Sequence, residues 1–132
     1  MMAKFLIIDD VDDVRTLVGR FLTAKGYKVV VAENGHIGLS HAAEAKPDLI
    51  LMDIYMPGID GFEATRRLKG DPTLRHIPVL ALSGEVERES RDAIFEAGCD
   101  GFLEKPIDFP NLVPTIEKYI GGAAANQSAR KA

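Results

Sequence analysis

Leu49-Ile50-Leu51-Met52-Asp53-Ile54-Tyr55-Met56-Pro57-Gly58 joins four consecutive apolar residues to a carboxylate and then to a turn signal. An unbroken apolar run of this kind reads as a strand buried on both faces, the type found in parallel sheets. The pattern recurs along the chain. Phe5-Leu6-Ile7-Ile8 runs into Asp9 and Asp10, Val79-Leu80-Ala81-Leu82 runs into Ser83, and Phe102-Leu103 is followed closely by Lys105. In a parallel sheet these polar residues all emerge at the carboxyl edge, where open α/β sheets bind their ligands. Val29-Val30-Val31 contributes no such residue, as suits an outer strand.

Helical patterns separate the strands. Val14, Leu17, Val18, Phe21 and Leu22 form an amphipathic stripe, with Asp12 or Asp13 expected to cap its start and Gly26 to end it. Asn34-Gly35 opens a second helix carrying Leu39, Ala42 and Ala43 inward, stopped at Lys46-Pro47. A third buries Phe62, Thr65 and Leu68 and breaks at Gly70-Asp71-Pro72. A fourth buries Ala93, Ile94 and Ala97 and exposes Glu87, Arg88, Glu89 and Arg91. The last, with Asp108 as cap, buries Leu112, Val113, Ile116 and Ile120. Pro114 sits inside it and predicts a late start or a distorted first turn. Five βα units with right-handed crossovers make an α/β three-layer sandwich. Residues 1–121 are expected to form one domain, and residues 122–132, which lack any burial pattern, a flexible tail.

The chain has 132 residues, enough for one domain, and its 46% apolar content is ordinary for a globular protein. No apolar stretch reaches the roughly 20 residues that span a bilayer, and no signal-peptide pattern precedes Phe5. A cytoplasmic protein with no membrane insertion is expected. The single cysteine, Cys99, cannot pair internally and has no neighbouring base, so it reads as a small buried side chain. A net charge of −4 gives no general attraction for nucleic acid or anionic lipid.

Taken singly, the strand-end residues have plain explanations: Asp9 and Asp10 as a turn or cap, Asp53 as turn chemistry, Ser83 as a strand terminus, Lys105 as a solvated charge. Their joint arrangement points to chemistry. Like charges 4 Å apart cost about 4 kcal/mol at an effective dielectric of about 20, so clustered carboxylates take up protons or recruit a cation. Oxygen donors with room for water suit Mg²⁺. One carboxylate beside Mg²⁺, a hydroxyl and an ammonium is equipped to accept a phosphoryl group.

The motifs Ile7-Ile8-Asp9-Asp10, Asp53-Ile54-Tyr55-Met56-Pro57-Gly58-Ile59-Asp60-Gly61, Leu82-Ser83-Gly84, Ala97-Gly98-Cys99-Asp100-Gly101-Phe102 and Lys105-Pro106 resemble the receiver domain of two-component response regulators. The resemblance spans Lys4 to about Ile120 and implies a flavodoxin-like five-stranded parallel sheet, strand order 2-1-3-4-5, with helices on both faces. It makes Asp53 the phosphoacceptor. Asp10 would bind Mg²⁺ directly and Asp9 largely through water, alongside Asp53 and the backbone carbonyl of Tyr55. Ser83 would bond the phosphoryl group, Lys105 would pair with it, and Phe102 would be the aromatic switch. A cis bond before Pro106 is common in the family.

Gly84 replaces the commoner alanine, and Phe102 lacks the hydroxyl of tyrosine variants. Tyr55 and Glu85 are placed to flank the path of an attacking water and are expected to set the lifetime of the phosphoryl group. The implied partners are a sensor histidine kinase or a histidine phosphotransfer protein, and a downstream protein bound through the last two helices. The expected activity is limited to the domain's own phosphorylation and dephosphorylation. A phosphorelay intermediate, passing the group to a second histidine domain, is the alternative. A phosphohydrolase of the Asp-x-Asp type is disfavoured because Tyr55 stands where its second aspartate belongs. A flavin carrier is disfavoured by the acidic loop after Ile8.

Overall fold

A computed structural model of the protein describes residues 3–84 and 88–120. Ten elements alternate: β1 (Lys4–Ile8), α1 (Asp12–Ala24), β2 (Lys28–Ala32), α2 (Gly35–Ala45), β3 (Leu49–Asp53), α3 (Gly61–Gly70), β4 (Val79–Ser83), α4 (Arg88–Ala97), β5 (Gly101–Glu104) and α5 (Phe109–Tyr119). The sheet is parallel throughout, in the order β2-β1-β3-β4-β5. β3 and β4 are buried along their whole length. β2 is an edge strand with Val31 exposed, as its lack of a strand-end polar group suggested.

Alternation of side chains along each strand divides the interior into two layers. Leu6, Ile8, Ile50, Met52, Val79 and Ala81 pack with Ala42, Ala64, Leu68 and Ile94 from α2, α3 and α4. Phe5, Ile7, Leu49, Leu51, Leu80 and Leu82 pack with Val18, Leu22, Leu112 and Ile116 from α1 and α5. Neither layer is exposed on its strand side, and this explains the unbroken apolar runs.

The helix ends follow local chemistry. α1 stops in a Schellman arrangement: Gly26, at φ 96°, donates to Thr23, and Tyr27 donates to Leu22. Asn34 caps α2 by accepting from Ile37 N, and Asp60 caps α3 by accepting from Glu63 N.

Several expectations are corrected. Asp12 and Asp13 lie inside the first turn of α1; its cap position is Val11, with no side-chain cap bond. Leu17 is exposed rather than inward, because the contact stripe of α1 is narrowed to Val18 and Leu22 with Val14 and Phe21 at its margins. Ala43 is exposed for the same reason on α2, where the closest approach is made by Gly35, Gly38 and Ala42. Asp108 holds the cap position of α5 but makes no cap bond, its carboxylate being taken by the Asn111 side chain. α5 does not start late. It runs from Phe109 through Pro114, whose missing N–H leaves only the Pro110 carbonyl without its helical donor. Glu87 and the tail at residues 122–132 lie outside the described residues, as do the side chains of Arg88 and Glu89.

Candidate functional site

The register brings the strand-end residues together. Ile8 lies opposite Met52, so one residue further Asp9 stands beside Asp53. Asp53 pairs with Leu82, and Ser83 with Glu104, directly before Lys105. By strand alternation Asp9, Asp53 and Lys105 belong to the α1/α5 side, while Ser83 and Phe102 belong to the α3/α4 side.

Asp9 is fully buried. Its Oδ1 accepts from Val11 N at 2.9 Å. Its Oδ2 lies 2.8 Å from Lys105 Nζ, yet this buried oxygen accepts no well-aligned hydrogen bond among the described residues. Lys105 Nζ is also 3.6 Å from Asp53 Oδ1, and Asp53 is 6% exposed. Asp10, by contrast, is exposed at the mouth. One carboxylate oxygen from each of Asp9, Asp10 and Asp53 lies within 4.8 Å of the others. An open cavity of about 590 Å³, lined by Asp10, Val11, Asp53, Tyr55, Gly84 and Lys105, leads from them to solvent.

Crowding shows in the titration of the site. Burial, then the charge of Asp9 and a hydrogen bond with Asp10, raise the Asp53 pKa from 3.8 to about 7, with Lys105 pulling the other way. For Lys105 burial disfavours the charged form, but contact with Asp9 and the charges of Asp53 and Asp9 prevail and lift its pKa above 10.5. Three carboxylates this close, one of them pushed toward neutrality because its charged form is disfavoured, fit a divalent cation that would offset their charge.

The remaining residues expected at the site lie around these carboxylates as follows. Ser83 is buried at the end of β4. Gly84 is exposed, with open space where a Cβ would stand. Lys105 N donates to Ser83 O at 2.9 Å, and the Lys105–Pro106 bond is cis. Tyr55 is 55% exposed on the cavity rim, edge-on to Phe62 at 6.1 Å. Phe102 is half-buried, edge-on to Phe95 at 6.2 Å, with the Arg91 guanidinium 5.4 Å from its ring centre. Glu85 lies outside the described residues.

Two residues carry roles that sequence reasoning did not assign. A Cβ on Gly61 would fall 2.3 Å from the Asp53 carbonyl oxygen, so glycine alone lets α3 start against the strand end that carries the candidate nucleophile. Arg15 on α1 donates from Nη1 to the Asp9 carbonyl at 2.7 Å. The only hint of it in the sequence was a cation six residues after the first carboxylate.

Residues 5–117 match the family model described as the response regulator receiver domain. The chain belongs to the response regulator receiver family. Among its relatives, the polar-differentiation response regulator DivK of Brucella anthropi is 37% identical over 123 residues, covering 93% of this chain and 100% of DivK. The chemotaxis protein CheY4 of Vibrio cholerae superposes with a TM-score of 0.86 at 31% identity, over 90% of this chain and 99% of that one. The receiver domain of sensor histidine kinase PA1611 from Pseudomonas aeruginosa, described with a magnesium ion coordinated in its active-site cleft, gives 0.85 at 27% identity over 92% and 100%. Receiver domains are signalling modules that work with histidine kinases and downstream targets. No helix among the described residues of this receiver domain is long and apolar enough to cross a membrane.

Proposed function

We propose that this receiver domain accepts a phosphoryl group on Asp53 from the phosphohistidine of a sensor histidine kinase or histidine phosphotransfer protein, in a Mg²⁺-dependent reaction. The observation that carries this reading is the placement of Asp53: buried, 3.6 Å from Lys105 and open to the cavity on one side. In the transfer an Asp53 carboxylate oxygen attacks phosphorus, the N–P bond breaks, and its electron pair returns to the donor imidazole. Lys105 supplies a fixed positive charge to the oxygens being transferred. Asp9, Asp10, Asp53 and the Tyr55 carbonyl would hold the metal. When bound, Mg²⁺ would contribute charge neutralisation to the carboxylates and to the phosphoryl oxygens.

The output follows from the face shared by Ser83 and Phe102. Phe102 lies opposite Ala81, two residues before Ser83, so the two are diagonal neighbours across the β4–β5 pair. A Ser83 hydroxyl drawn to the phosphoryl group vacates space that the Phe102 ring can enter. The surface formed by α4, β5 and α5 would change with it and bind the downstream protein. Shifting such an equilibrium from 1:99 to 99:1 takes about 5.5 kcal/mol. New charge-assisted bonds to one doubly charged group are of that order.

Incubation with acetyl phosphate and Mg²⁺ is expected to label the wild type and not Asp53→Asn. No labelling, or equal labelling of the two, would overturn the assignment. Tyr55, exposed on the rim, is proposed to limit access of hydrolytic water. Tyr55→Asn is then expected to lose the phosphoryl group at a different rate, and an unchanged decay rate counts against this role.

A further inference from the structure

Asp9 is held in several ways: its N–H donates to Ala32 O at 3.1 Å, and its carboxylate meets Val11 N and Lys105. Among the described residues Asp10 has less support, a side-chain hydrogen bond with Asp53. It is the exposed member of the acidic group, two residues beyond Ile8, the last paired residue of β1. Its direction therefore depends on the peptide plane it shares with Asp9. The carbonyl of that plane accepts one hydrogen bond among the described residues, from Arg15 Nη1 at 2.7 Å. Arg15 is itself fixed: its side chain is 14% exposed, and its second nitrogen pairs with Asp12.

We infer that Arg15 is a positioning residue for cation binding, clamping the Asp9–Asp10 peptide so that the Asp10 carboxylate faces Asp9 and Asp53. The inference rests on the reading of those three carboxylates as a cation site. It makes a prediction opposite in sign to simple electrostatics. A positive charge near the site repels a divalent cation, so on charge alone removing Arg15 would tighten binding. Losing a group that orients a ligand typically weakens metal affinity 10- to 100-fold. Asp12 pairs with the guanidinium, and solvent at its exposed carboxylate screens the charge, so orientation is expected to prevail.

The test is titration of Mg²⁺ into the full chain, followed by calorimetry and by backbone amide shifts, for wild type, Arg15→Ala and Arg15→Lys, with thermal midpoints measured in chelator. Wild type is expected to bind. Arg15→Ala is expected to fold and to bind about tenfold or more weakly, with a displaced Asp10 amide resonance in the metal-free state. Arg15→Lys, which keeps the charge and one donor, is expected to recover part of the loss. A purely structural role would lower the thermal midpoint and leave Mg²⁺ affinity alone. If Arg15→Ala does not fold, Arg15→Met, which preserves the apolar stem, carries the same expectation. Equal or tighter binding by a folded variant overturns the inference while leaving the site assignment intact. Absence of Mg²⁺ binding by wild type overturns both.

Discussion

Asp53 carries a consequence for stability that does not depend on phosphorylation. Its pKa is about 7 in the folded protein against 3.8 ordinarily. Between those values the fold retains a proton that the unfolded chain has released. The contribution of this group to stability is therefore fully present below pH 3.8 and is lost as pH rises through about 7. The Lys105 contribution, from a pKa lifted above 10.5, stays in place across that window. In chelator, the urea midpoint of wild type is expected to fall between pH 5 and pH 8 relative to that of Asp53→Asn, and added Mg²⁺ is expected to narrow the gap. Parallel pH profiles for the two proteins would show that the carboxylates are not coupled as their geometry implies. The identities of Asp9, Asp10, Asp53, Ser83 and Lys105 were readable from strand ends. Their inequality was not: burial of Asp9 and exposure of Asp10 arise from where β1 stops and how its last peptide turns.

α5 shows how an element tolerates a residue that contradicts its pattern. Pro114 is exposed and lies in the second turn, so the carbonyl that loses its donor, that of Pro110, is also on an exposed residue. Water can satisfy it, and the helix continues. The sequence pattern overestimated the disruption because it weighed propensity without the anchoring of Leu112 and Ile116, both 1% exposed. Restoring the donor is expected to stabilise the protein: Pro114→Ala should gain about 1–3 kcal/mol, read as a raised urea midpoint at unchanged slope. A loss would mean that the proline ring makes a packing contribution against Phe21 or Val113, with which it lines a shallow surface groove. Leu17 teaches the complementary lesson on α1. Its spacing matches the buried stripe, but at 56% exposure it belongs to an apolar cleft with Val14, Pro106, Ile107 and Phe109 beside the site. Periodicity locates a helix face to within a residue or so, and packing against the sheet decides its margins.

At the level of the whole molecule the chain divides its labour between two layers that share one sheet. The α1/α5 side places Asp9, Asp53 and Lys105 together, and the α3/α4 side carries Ser83 and Phe102. The sequence alone determined the alternation of strands and helices, because buried runs and amphipathic stripes are local properties of the chain. It also determined the edge at which the polar residues collect, since in a parallel sheet every strand ends on the same side. The strand order came from resemblance to a family, because nothing in a four-residue apolar run encodes its neighbour. Only the tertiary structure decided that Lys105 lies closer to Asp9 than to Asp53, that Gly61 must lack a side chain, and that Arg15 holds the Asp9 carbonyl. Those facts depend on register and on distances between segments far apart in sequence, which packing sets and local pattern does not.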